Sequence, residues 1–170
     1  AQKVATTYAA GEPGRVHALS VHGGDRLRGD KVFRNQGACM QCHQIDKDGG
    51  VQGPSLSLVG DRLNADKLLE SLVNPSAEIT PGYGLSSIST LDGITLVGRV
   101  AEKGEGSSTI SVITPDGKET VLESDQIASI SPPVSAMPPL GLTLDPLDLR
   151  DLIAYLRSRN TVSYTHLRAH

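Results

Sequence analysis

The stretch Cys39-Met40-Gln41-Cys42-His43 governs the interpretation of the whole chain. It holds both cysteines of the 170-residue sequence, and two cysteines are too few for a disulfide framework in so small a chain. A thioredoxin-like redox pair would need a β-α-β pattern around the motif, which the flanking sequence lacks. A zinc site would need four ligands. The remaining histidines are scattered along the chain, at His17, His22, His166 and His170.

The fourth interpretation is covalent attachment of a c-type haem, for which C-x-x-C-H is the signature. Two thiols at this spacing are able to add to two vinyl groups on one edge of the porphyrin. The following imidazole, that of His43, would then ligate the iron. The motif favours haem, and a zinc site, a redox pair and a chance occurrence stay open as alternatives.

The sequence contains two methionines that could supply a second axial ligand. Met40 lies between the two thiols and is unable to reach the opposite face of a ring bound there. Met137 lies in the segment Ser135–Gly141, where prolines form a stiff, non-helical loop that suits a fixed thioether. The alternative is that Met137 fills a gap in the core. We predict that Met137 is the second ligand.

Composition narrows the class of protein. Hydrophobic residues make up 38% and aromatic residues 3% of the chain, below the ~45–50% apolar content that is usual for a globular domain. The core is therefore thin, or a non-protein group fills part of it. The net charge of −3 gives no basic footprint for nucleic acid. No apolar run approaches the ~20 residues of a membrane span, and we expect any export signal to lie upstream of the sequence given.

Periodicity and capping residues predict three helices. The first runs from Asp25 to about Gln36, the second opens at Asn64 or Asp66 and ends at Asn74-Pro75, and the third begins at Asp145-Pro146 and ends near residues 157–160. Alternating β-branched residues and the turn dipeptides Asp92-Gly93 and Asp116-Gly117 predict strands between the second and third helices. These predicted strands are 86–91, 94–101, 108–114, 118–122 and 126–130.

The loop after His43 contains Gly53-Pro54-Ser55-Leu56. A histidine that binds a metal usually donates its second ring N–H to an oxygen, and the Pro54 carbonyl is such an acceptor. A simple turn explains the same residues equally well, so this loop alone leaves both interpretations open.

The order of helix, CxxCH, Gly-Pro loop, Leu-rich helix, Met-Pro loop and C-terminal helix resembles a class I cytochrome c. More narrowly, it resembles the haem-binding domain at the C-terminus of large exported proteins of planctomycetes and verrucomicrobia. The matching segments are 29–33, 39–43, 53–56, 68–76, 135–138 and 148–156. The resemblance implies a mainly α cytochrome c fold with a small antiparallel β insert, at about residues 85–130, between the second main helix and the methionine loop.

The resemblance also implies the ligands and the surroundings of the cofactor. It implies one haem c on Cys39 and Cys42, with His43 and Met137 as axial ligands of its iron. It further implies that the Pro54 carbonyl accepts a hydrogen bond from His43. It also places Leu56 beside the haem, and it implies that Arg62 and Tyr83 contact the propionates.

Three domain assignments follow from these patterns. Residues 1–24 are expected to be a lead-in or linker, residues 25–159 a cytochrome c-like domain, and residues 160–170 an unstructured tail, extraneous to the function. For the β insert we favour a structural lid over a docking surface, since alternation with one solvated face is the usual pattern of such strands.

The expected function is one-electron transfer between redox partner proteins, without independent catalysis, because no acid–base pair or nucleophile stands out. We expect a periplasmic or cell-envelope location and a larger parent protein with an upstream catalytic domain. Two alternatives remain: a haem-based sensor in which Met137 dissociates and a gas binds, and a zinc-binding interaction module without haem.

Overall fold

A computed structural model describes residues 21–102 and 108–161, which form two compact units. The described part of the first unit comprises residues 21–77 and 138–161, and that of the second unit comprises residues 78–102 and 108–137. Most of the predicted lead-in and almost all of the predicted tail lie outside the described residues. Among the described residues, no helix combines the length and the apolar character needed to cross a membrane.

The first unit contains the three predicted helices. Its helices are α1 (Arg26–Arg34), α2 (Val59–Arg62), α3 (Ala65–Val73) and α4 (Pro146–Ser158), with 3₁₀ helices at Cys39–Gln41 and Leu140–Leu142. The capping predictions are confirmed for α1, α3 and α4, because the side chains of Asp25, Asn64 and Asp145 accept hydrogen bonds from backbone N–H groups of the first turn. The short helix α2 and a hairpin of β1 (Gln44–Ile45) and β2 (Asp48–Gly49) were not predicted.

Helices α1 and α4 pack closely against each other. At Gly29 the backbones of the two helices approach closely, since a Cβ atom there would lie 2.0 Å from the carbonyl oxygen of Asp151. The rings of Phe33 and Tyr155 meet across the same contact, with centroids 5.4 Å apart. Val21, the first described residue, is also buried, and the Arg157 side chain donates to its carbonyl over 3.5 Å.

The second unit is an antiparallel sheet. Its strands are β3 (Gly84–Thr90), β4 (Thr95–Glu102), β5 (Thr109–Ile113), β6 (Glu119–Glu123), β7 (Ile127–Ile130) and β8 (Val134–Ser135). They are ordered β6-β5-β4-β3-β7, and β8 also pairs with β3. Ile88 of β3 lies opposite Leu96 and Ile130. Both Ile88 and Val112 of β5 are fully buried. The five predicted strands are confirmed to within two residues at each end.

The prediction of a mainly α fold with a small β insert is correct only in part, because helices predominate in the first unit alone and the sheet of the second unit is sizeable. The second unit has strands and one 3₁₀ turn, Ser124–Gln126, among its described residues. The physical reason is visible in the two turns of type Asp-Gly, where Gly93 and Gly117 adopt φ values of 87° and 84°. Such turns reverse the chain after every few β-branched residues, so that this part of the chain builds a sheet of six strands.

Candidate functional site

The CxxCH motif lies in a tight turn that follows α1. The 3₁₀ helix Cys39–Gln41 carries the first thiol, and the N–H groups of Cys42 and His43 both donate to the Cys39 carbonyl, over 3.2 and 2.8 Å. Side chains three positions apart eclipse each other in a 3₁₀ helix. Cys39 opens this turn and Cys42 caps it three positions later, so we expect both sulfur atoms on a common side, as attachment to one edge of a planar group requires.

The two thiols are free and differ in their surroundings. Cys42 is exposed, whereas Cys39 is partly buried. Burial raises the pKa of the Cys39 thiol to about 11, because it disfavours the charged thiolate, and the neighbouring Cys42 adds to the effect.

The imidazole of His43 is held in one orientation by the loop. Its Nδ1 lies 2.8 Å from the carbonyl oxygen of Pro54. Because a carbonyl only accepts hydrogen bonds, Nδ1 carries the proton and the neutral ring keeps a lone pair on Nε2, the atom that is left to bind a metal. The predicted hydrogen bond between His43 and Pro54 is thus present.

The loop that contains Pro54 is itself fixed to the motif by backbone hydrogen bonds. The N–H groups of Gly50 and Gly53 donate to the carbonyls of Met40 and Cys42, over 2.9 and 2.8 Å, respectively. The N–H of Leu56 donates to the Gln44 carbonyl over 2.9 Å, and its side chain is half-buried. The position of the acceptor for His43 is therefore set by bonds on both sides of Pro54.

Arg62 lies at the end of α2, beside the same loop. Its guanidinium donates to the Ser55 carbonyl over 2.5 Å, and the side chain is otherwise exposed. The resemblance implied a contact of Arg62 with a propionate, and the structure adds this contact with the residue that follows Pro54.

Tyr83 and Met137, the other two predicted site residues, lie in the second unit. Strand β8 pairs with the start of β3, with Ser135 opposite Gly84. Tyr83 directly precedes β3 and Met137 comes two residues after β8, so both lie at the same end of this ladder although they are distant in sequence. The Met137 N–H donates to Ser135 Oγ over 3.1 Å, and both Tyr83 and Met137 are half-buried.

Sequence reasoning missed an ion pair that joins the hairpin after His43 to the end of α4. The Arg159 guanidinium donates to the Asp46 carboxylate, and the Asp46 N–H donates to Ser57 Oγ over 3.0 Å. Neither residue belongs to a motif, and their separation along the chain leaves no local signal that could have revealed the pair.

One comparison with known proteins matches this region. Residues 27–88 match the Cytochrome c family, and the matched stretch contains CxxCH, the Pro54 loop and α3. No curated protein matches the chain. The match supports a cytochrome c-like haem-binding domain, and electron transfer through haem is the general function of that family.

Proposed function

We propose that this chain is an electron-transfer module that carries one covalently attached haem c. In this proposal Cys39 and Cys42 form the thioether bonds, and His43 and Met137 are the axial ligands of the iron. The observation that carries it is the hydrogen bond from His43 Nδ1 to the Pro54 carbonyl, because it leaves Nε2 free to ligate iron directly beside two unpaired thiols.

The residues of the site fit this group by their chemistry. A soft sulfur and a neutral imidazole are ligands that hold haem iron in proteins. The thiols are free and lie three positions apart at a 3₁₀ turn, a spacing that suits two additions to one porphyrin edge. When bound, haem supplies an iron centre that takes up one electron from a donor protein and releases it to an acceptor.

The chain's own residues keep this centre closed to other chemistry. Pro54 fixes the orientation of His43, and Ser135 holds the backbone at Met137 in the Pro-rich segment. If His43 and Met137 both held the iron, no position on it would be left for a substrate or a gas, which would favour electron transfer over gas sensing.

The remaining predicted contacts belong to the same proposal. Arg62 is fixed at the Ser55 carbonyl and presents further N–H donors for a carboxylate. Tyr83 lies at the same end of the β3–β8 ladder as Met137, which supports a shared role of the two residues beside one ligand. Leu56, half-buried in the Pro54 loop, supplies apolar surface.

We further propose that the domain is of the planctomycete and verrucomicrobial type, as the resemblance implies. It would then work in the periplasm or cell envelope, as part of a larger redox protein and between partner proteins that donate and accept the electron.

The test is expression of the chain in bacteria that have a cytochrome c maturation system, followed by a pyridine haemochrome assay. We expect one haem per chain, and we expect none to remain after acid-acetone extraction of the Cys39→Ser/Cys42→Ser variant. Ser57→Ala, a change in the same loop away from the thiols, is the matched control and should load fully. Colourless wild-type protein that binds zinc would overturn the proposal.

A second measurement separates electron transfer from gas sensing. The reduced protein is exposed to carbon monoxide, which binds only to iron with an open position. We expect no change of the spectrum in the wild type. A rapid and complete shift of the main absorption band would assign the chain to the sensor class instead.

A further inference from the structure

Gly53 lies directly against the imidazole of His43. A Cβ atom at this glycine would lie 2.6 Å from Cε1, 2.8 Å from Nδ1 and 3.1 Å from Nε2 of the ring. A point in the ring plane beyond Cε1 would be clearly farther from both nitrogens. The similar distances therefore place the Cβ position over the face of the ring, where a methyl group would overlap it.

We propose that Gly53 is a positioning residue for His43, which sets the plane of the imidazole through the absence of a side chain. This inference rests on the proposed function, in which His43 is an axial ligand. Two contacts fix the ring together: the Pro54 carbonyl restrains its edge, and the Gly53 backbone lies against its face. The first contact selects the protonated nitrogen, and the second limits rotation of the ring about its bond to Cβ.

The Gly53 backbone has little freedom to yield to an added methyl group. Its N–H donates to the Cys42 carbonyl over 2.8 Å, and Pro54 follows it with a fixed φ. The imidazole, in contrast, is the end of a side chain with two rotatable bonds. In Gly53→Ala the ring is therefore expected to turn away, and this turn lengthens or breaks the hydrogen bond from Nδ1 to Pro54.

Gly60 provides a matched crowding control in the same unit. A Cβ atom there would lie 2.2 Å from the Arg157 carbonyl oxygen, so that Gly60→Ala forces backbone atoms apart without touching His43. The two variants should therefore separate two effects. Gly60→Ala should mainly reduce the free energy of unfolding, whereas Gly53→Ala should mainly change the orientation of the imidazole.

The experiment compares haem-loaded wild type, Gly53→Ala, Gly60→Ala and Ser57→Ala. Electron paramagnetic resonance of the ferric protein reports the ring orientation, and guanidinium titration reports stability. We expect altered g values only in Gly53→Ala, together with a changed reduction potential. Thioether bonds keep the group attached during unfolding, and an osmolyte such as trimethylamine N-oxide is added where a variant is too unstable to fold.

Three outcomes are distinguishable. A wild-type spectrum in folded Gly53→Ala would overturn the inference and leave the proposed function intact. Equal spectral changes in Gly53→Ala and Gly60→Ala would also overturn it, because general destabilisation would then explain both. A wild-type chain that takes up no haem would refute the proposed function itself.

Discussion

At the scale of single residues, Lys47 is the clearest case of backbone strain. Asp46 and Lys47 form the two-residue turn between β1 and β2, with φ values of 51° and 79°. The left-handed region costs a residue with a Cβ atom about 1–2 kcal/mol. Glycine removes that cost, but it destabilises the folded state by about 0.5–1 kcal/mol because it loses more conformational entropy on folding. We therefore expect Lys47→Gly to raise the free energy of unfolding by about 0.5–1 kcal/mol, measured by guanidinium titration.

Lys47→Ala is the control for this prediction. It removes the same exposed lysine side chain but retains the Cβ atom, so that it should give no gain in stability. If both variants were stabilised equally, loss of the charge and not relief of backbone strain would be the cause.

Tyr155 predicts a dependence of stability on alkaline pH. Burial, and a hydrogen bond with Asp30, raise the pKa of its phenol to about 12. In the unfolded chain the phenol titrates near its ordinary value of about 10. Between these two values the unfolded chain binds fewer protons than the folded protein, so that stability falls as the pH rises. The loss amounts to about 1–3 kcal/mol over the whole interval.

Tyr155→Phe removes this titration and is the variant to measure. The variant should be less stable at pH 7 by about 1 kcal/mol, because the hydrogen bond to Asp30 is lost. Its free energy of unfolding should then fall less steeply than that of the wild type from pH 9 to 11, since all other groups titrate alike in both proteins. Parallel pH profiles of the two proteins would contradict the assignment.

The same residues show what a sequence reveals at this scale. Asp92-Gly93 and Asp116-Gly117 predicted their turns because glycine adopts positive φ without a steric cost. Asp46-Lys47 forms a hairpin turn with positive φ at both residues but without glycine, and it was therefore missed. Ligand chemistry left the hydrogen bond from His43 to Pro54 open, and only the resemblance to class I cytochromes c implied it. The contact with Gly53 depends on the exact path of the loop.

At the scale of elements, the contact between α1 and α4 depends on Gly29. Alanine has the higher helix propensity by about 1 kcal/mol, so that Gly29→Ala would stabilise an isolated helix. In the protein its Cβ atom would lie 2.0 Å from the Asp151 carbonyl oxygen, and the two helices would have to separate. We expect the steric clash with α4 to outweigh the gain in helix propensity, with a net loss of about 2–4 kcal/mol in the free energy of unfolding.

Lys31→Ala is the matched control in α1, because its side chain is exposed. It should change stability by less than about 0.5 kcal/mol in guanidinium titration. A stabilising effect of Gly29→Ala would show that α1 and α4 pack less closely than their structure indicates.

Helix limits were predictable because caps are local. Asp25, Asn64 and Asp145 each bond to an N–H two or three residues ahead, and such short-range chemistry is written in the sequence. The pairing of Arg159 with Asp46 and the burial of Asp151 against α1 join distant parts of the chain. Only the folded backbone brings these groups together, so that no periodicity or motif in the sequence predicts these contacts.

At the scale of the whole molecule, the sequence predicted the order of the helices and strands better than the proportion of each. The match to the Cytochrome c family ends at residue 88, inside β3. The strands beyond it were predicted one by one from alternation and turns. The pairing of β8 with the start of β3 was not predicted, because a two-residue strand has no period to detect. This pairing brings the segments of Tyr83 and Met137 to one end of the sheet.

Met137 supplies the prediction that tests the second iron ligand of the proposed function. We expect Met137→Ala to lose the absorption band of a thioether bound to ferric iron and to bind carbon monoxide when reduced. The reduction potential should fall, because a thioether ligand favours ferrous iron. The fall amounts to about 60 mV for each tenfold loss of that preference. Met40→Leu, the matched control beside the thiols, should change neither the spectrum nor the potential. An unchanged spectrum in Met137→Ala would mean that another residue, or none, completes the coordination of the iron.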